Sequence, residues 1–549
     1  MIEVDPLLLD TTRGDLTPAT EFNAALNAHG LYHGLHFVVR LSPRVHDLIA
    51  SLPNGIARRS DVTFEQLQAF STYLHETIHW WQHVGSTSGL LLSLTYPVQT
   101  HANIRHLRQF LAAVGPVKSI EDWAKNQKGR HELGSPGALA NTIINNQFDI
   151  EAYRFLVTNP DRAQPLVSSG RFENVGHSYN IALSNNVYSL ASTLDTEFRH
   201  MPDPRLWEAE IGALRREKRE GFYYGSRVVL PPIGAQHIFE GQARFSQLQY
   251  LHFATGGQFD WADADEAGMF GELYFKAFEI FLKVSGLDCP QSLHDPRVGL
   301  FLLVCDVAMN SGEGFPFPIT APALLVDNLD PGIRFLRLSN AIREKCPDAG
   351  GAITRYDAAE YVHVSELLCD AIGVVAPFKI VTEINRWIEQ GELFRACLER
   401  HDCGTADNVN LPLQVLFGQF LSYQRDKASY PHILCWPGPN MAGDAVAETS
   451  IGVFSRQSPL FIDRAEDATI VPVLRAGSDE SAIMATFQDF YSGHVLYDLT
   501  RQWINRTGEF KYDYRWLQPN GTNDQVKEWA DRVFHQAYEA WPGDFRLLA

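Results

Sequence analysis

Residues 63–85 read TFEQLQAFSTYLHETIHWWQHVG. Thr63 with Gln66 matches a capping box, which opens a helix expected to run to about Val84, with Gly85 and Gly89 suggesting its end. Phe64, Leu67, Phe70, Leu74, Ile78 and Trp81 recur at three- and four-residue intervals, so at about 100° per residue they form one apolar stripe. His75 and His79 fall roughly 100° round from its centre, where a cleft could open, and Glu76 lies farther round on the same side. The spacing His75-Glu76-Thr77-Ile78-His79 is HExxH: two imidazoles one turn apart can grip a single ion while the intervening carboxylate reaches water upon it. Even with 20 histidines in the chain, chance yields this motif on the order of a few hundredths of a time. The competing structural reading is a pair of hydrogen-bonded histidines on a helix flank. His83, one turn farther on, is expected to be structural or to support the ligands.

The chain has 549 residues, enough for two to three domains or one large domain with insertions. Its composition, 45% hydrophobic and 20% charged, is that of a folded globular protein. With 46 Lys and Arg against 65 Asp and Glu, the net charge is −19, which disfavours nucleic acid and anionic membranes as partners. The most basic stretch, Arg215 to Arg219, is interrupted by Glu217 and reads as a solvated helix face. Seven cysteines, at 289, 305, 346, 369, 397, 403 and 435, form no CxxC pair, so a reducing compartment is expected. The N-terminus lacks a basic region followed by an apolar run, and the apolar stretches Leu90–Leu94 and Leu300–Cys305 are too short to span a bilayer. A cytoplasmic protein is the expectation.

Upstream of the motif, His36 to Leu41 has strand composition before Pro43 interrupts it. Downstream, helical periodicity appears at 138–157, 206–219, 234–253, 267–284, 358–372, 380–400 and 524–541, whereas 460–463 and 468–474 alternate like strands. Turn-forming residues gather at 255–265, 311–322, 346–351 and 436–443. The fold class expected is mainly α with minor β. The expected regions are a catalytic one at 1–255, a mostly helical one at 256–430 and a mixed α/β one at 431–549. Gly85 to Gly89 is not a nucleophile elbow, because Thr87 stands at its centre and it follows a helix. No phosphate loop or dinucleotide-binding glycine motif is present, and the acidic loop around Asp260 lacks the order of a calcium-binding EF-hand.

HExxH is the signature of the zincin metallopeptidases, and the chain resembles them there. The metzincin extension HExxHxxGxxH is not matched, since Trp80-Trp81-Gln82-His83-Val84-Gly85 follows His79. A catalytic zinc normally takes three protein ligands and leaves one position for water. Glu240-Gly241-Gln242-Ala243 is similar to the E-G-x-A element that supplies the third ligand in many glutamate zincins, the gluzincins. Gly241 and Ala243 would let its helix approach the motif helix closely. The rival is Asp149-Ile150-Glu151-Ala152, similar to the E-x-E-A segment of other gluzincins but with aspartate in first place. The resemblance covers about 13 residues in all and implies a zincin-like catalytic domain. It implies one Zn2+ per chain on His75, His79 and Glu240, with Glu151 or Asp149 as alternatives for the last, and Glu76 as general base in peptide-bond hydrolysis. Tyr223, Tyr224, His237 and His363 are candidates for stabilising an oxyanion. The expected partner is a peptide or protein substrate. A zinc hydrolase acting on another substrate, or a metal-stabilised binding or scaffold protein, are the alternatives; an intact glutamate between the histidines weighs against a scaffold.

Overall fold

A computed structural model describes residues 5, 8, 30–52, 62–127, 134–407, 409–442, 446–474, 479–517 and 520–548. The chain is mainly helical with a small sheet. Strands β1 (Gly30–His33) and β2 (Val38–Leu41) form an antiparallel hairpin where one strand was expected, because residues 34–37 turn the chain and Phe37 takes a positive φ of 57°. Pro43 then starts helix α1 (Pro43–Ala50), its fixed φ suited to a first helical turn. Strands β3 (Phe461–Asp463) and β4 (Ile470–Pro472) complete a sheet in the order β1-β2-β3-β4. Val39 pairs with Ile462 in parallel across its centre. The β1 edge has no strand partner among the described residues.

The motif helix α2 (Phe64–Gly85) opens on both halves of the capping box: Thr63 Oγ1 accepts from the Gln66 amide at 3.3 Å, and Gln66 Oε1 accepts from the Thr63 amide at 2.9 Å. It ends at Ser86, whose extended backbone turns the chain directly into α3 (Thr87–Val114). Gly89 is required at this corner, because a Cβ there would lie 1.8 Å from the Gln82 carbonyl oxygen. Helix α4 (Pro136–Thr158) ends against the start of α5 (Ala235–Ala254): a Cβ on Gly234 would stand 2.4 Å from the Thr158 carbonyl and 2.7 Å from that of Val157. Helices α6 (Glu272–Ser285) and α7 (Pro296–Met309) cover α5 from behind.

Helix α2 is buried almost all round, with Leu67, Phe70, Leu74, Ile78 and Trp81 in the core and only Phe64 half-buried among the stripe residues. Its most extensive packing is against α5, and the helix Leu411–Ser429 closes another side. One apolar core runs from Leu8 to Leu517, and a second unites Leu107, Phe110, Ile143 and Ile144 with Val495, Trp503 and Phe534. Packing thus runs across residues 255 and 430. No helix among the described residues is long and apolar enough to cross a membrane.

Candidate metal centre

Helices α2 and α5 bring three donors together. His75 Nε2 and His79 Nε2 lie 3.1 Å apart, and Glu240 Oε2 stands 3.7 Å from the first and 3.3 Å from the second. Zinc bonds of about 2.0–2.1 Å to nitrogen and oxygen imply edges of about 3.3–3.5 Å in a tetrahedron, so this triangle has the size of one tetrahedral face. Among the described residues this is the one group of His, Cys, Asp and Glu side chains close enough to share an ion.

The hydrogen-bond polarity around His79 presents the right nitrogen. The Phe239 carbonyl can only accept, so the Gln82 amide nitrogen must face it, at 2.9 Å; the same nitrogen reaches Gln242 Oε1 at 3.0 Å. Gln82 Oε1 is therefore turned towards His79 Nδ1, 2.8 Å away, which must donate. In the neutral imidazole, the form that binds a metal ion, this leaves the Nε2 lone pair facing His75 and Glu240. The donor set and this tautomer fit a zinc ion. Glu240 is reached through Gly241 in a way the sequence did not suggest. A Cβ on Gly241 would lie 3.2 Å from both Ala277 and Phe301, so its small size serves the approach of α6 and α7 behind α5 rather than the approach to α2.

The charges follow from burial and proximity. Burial pushes His75 down to about 4, only partly offset by Glu240. Burial also opposes a charge on His79, but the Glu240 and Glu76 carboxylates overcome it and hold this imidazole up at about 9. Burial raises Glu240, yet the two histidines pull it farther the other way, well below the usual carboxylate range. A divalent cation would stabilise the Glu240 carboxylate in the same sense and would compete with the proton for His79.

Glu76 is 7% exposed and lies against β1. A Cβ on Gly30 would come within 2.8 Å of Glu76 Cγ and 2.9 Å of its Oε1, so glycine is what allows the strand to pass over the carboxylate. Gly34 does the same for His83, whose Nε2 a Cβ would meet at 2.7 Å. His83 stays outside the donor triangle: its Nδ1 bonds the His79 carbonyl at 2.9 Å, and its ring sits between Tyr32 and Phe239. All of these groups border one cavity of about 420 Å³, walled also by Arg154, Gln236 and Tyr274.

The rival ligands are engaged elsewhere. Glu151 accepts from Arg501 at 2.6 Å and from Gln147 at 2.8 Å, and Asp149 accepts from Ser178 at 3.0 Å beside His177. None of the four oxyanion candidates lines the cavity. Tyr223 donates to Glu220, Tyr224 is 69% exposed, His363 is on the surface, and His237 is buried on α5 outside it. The side chains missed are Gln82, Tyr274 and Arg154. Gln82 stands three residues after His79 on the same helix, a spacing that could have revealed it; Tyr274 and Arg154 carry no local signal. No family model, curated protein or solved structure matches the chain.

Proposed function

We propose that the protein is a zinc-dependent peptidase. The observation that carries this reading is the joint placement of three zinc-sized donors and Glu76 on the wall of one cavity. His75, His79 and Glu240 would hold the ion, which supplies Lewis acidity towards a carbonyl and acidifies water. Glu76, pressed between α2 and β1, is fixed beside His79 and serves as general base, taking a proton from the attacking water and delivering it to the departing amine. Tyr274 stands edge-on to His75 with ring centroids 5.9 Å apart, and the Arg244 guanidinium lies 4.0 Å from the centre of its ring. A cation on that ring makes the phenol a stronger donor, and we assign Tyr274 to the developing oxyanion.

A peptide is favoured over other acyl substrates by β1. Residues 30–35 run along the cavity, and the outer edge of this strand is unpaired among the described residues. An extended chain could add there as a further strand, with its main-chain groups paired and its scissile carbonyl towards the donors. The test is digestion of a peptide library by zinc-loaded protein and by Glu76→Gln. Cleavage by the first, and loss of about 10²–10⁴-fold in the second with zinc retained, is expected. Equal cleavage by Glu76→Gln would remove Glu76 from the mechanism.

A further inference from the structure

Arg154 projects from the last turns of α4 to the place where the metal cavity meets a second one of about 510 Å³; Leu35, Tyr96, Arg154 and Thr158 belong to both walls. Its guanidinium stacks on Tyr96, 3.8 Å from the ring centre, and donates from Nη1 to the Tyr497 hydroxyl at 3.1 Å. The nearby Arg501 is neutralised by Glu151 at 2.6 Å. Arg154 has no carboxylate within ion-pair reach among the described residues. A guanidinium offers five N–H donors in a planar fork that matches a carboxylate, and a partly buried charge is costly without a counter-charge. Here Tyr96 and Tyr497 hold the fork in place without using it up, on the wall of the cavity that contains the donor triangle.

Resting on the peptidase reading above, we propose that Arg154 receives a carboxylate of the substrate, so that the site selects peptides with an anionic group beyond the scissile bond. That carboxylate is either the free C-terminus or an acidic side chain, since both present the same pair of oxygens. The remainder of a longer substrate would continue past Arg154 into the second cavity.

The test is calorimetric binding to the zinc-loaded protein of three hydroxamate-capped dipeptides: one ending in Phe with a free carboxylate, its C-terminal amide, and an amide ending in Glu. The hydroxamate addresses the metal, so the amide reports on the metal site alone. At least tenfold tighter binding of one carboxylate ligand than of the amide is expected, with the difference abolished in Arg154→Gln, retained in part in Arg154→Lys, and the amide bound equally by all three proteins. Which carboxylate gains identifies the source. Equal binding of all three ligands by the wild type, or a preference that survives Arg154→Gln, overturns the role of Arg154 while leaving the peptidase reading intact. Failure of every hydroxamate to bind overturns the metal site itself and the inference with it. Should Arg154→Gln not fold, the partial preference of Arg154→Lys decides.

Discussion

Replacing Gln82 by leucine tests whether the network behind His79 sets the metal site. The side chain is 5% exposed and makes three bonds of 2.8, 2.9 and 3.0 Å, to His79 Nδ1, the Phe239 carbonyl and Gln242 Oε1. Leucine fills nearly the same volume but leaves those groups without their partner. Each buried polar group so abandoned costs about 1–3 kcal/mol, and relaxation around the site brings the expected loss of stability to roughly 2–4 kcal/mol. Freed from the Gln82 acceptor, His79 can carry its proton on Nε2, the atom that must face the ion. Partners of this kind typically contribute about 10–100-fold in metal affinity, so the zinc Kd should rise by about that factor, or about 1.4–2.7 kcal/mol. The assay is competition for zinc against a chromophoric chelator at fixed pH, with urea denaturation of the metal-free protein alongside. An unchanged Kd in a folded Gln82→Leu protein would refute the claim that the Phe239–Gln82–His79 chain selects the ligand tautomer.

Gly30→Ala should place a methyl group 2.8 Å from Glu76 Cγ and force that carboxylate aside; zinc content should persist while kcat/KM falls at least about tenfold, and full activity would show that β1 does not position the base. Asp330 caps the helix Pro331–Glu344 and accepts from Tyr179 in the core, and burial raises its carboxyl from 3.8 to about 6. A raised folded value favours the protonated acid, so its contribution is complete below about pH 4 and is lost as pH rises through about 6, amounting to about 3 kcal/mol. The stability difference between wild type and Asp330→Asn, from urea midpoints at pH 4 to 7, should change in that direction; a difference flat with pH would contradict it.

The elements legible in the sequence were those with an exposed face or a local terminus signal. The capping box at Thr63 and Gln66, and the periodicity of 358–372 and 524–541, carried their helices within a few residues of the observed bounds. Helix α7 was read only as a short apolar run, because every residue from Val298 to Met309 is buried and such a helix has no polar face to reveal its period. The helix Leu411–Ser429, buried without a break from Leu413 to Gln424, was missed for the same reason. The stretch 380–400 read as one helix and is two, parted at Gly391, where a Cβ would meet Phe394 at 2.5 Å. At the site, the histidine pair and Glu76 follow from spacing on one helix, and Glu240 was marked by its neighbours Gly241 to Ala243. Arg154 and Tyr274 reach the cavity only through the packing of α4 and α6, which no local pattern encodes.

The most direct test of the account is zinc content per chain by elemental analysis, on wild type, the double variant His75→Ala/His79→Ala, Glu240→Ala and Glu151→Ala. Close to one zinc is expected in the wild type and in Glu151→Ala, little in Glu240→Ala and none in the double variant. Absence of zinc from the wild type after reconstitution, or zinc kept by Glu240→Ala and lost by Glu151→Ala, would contradict it.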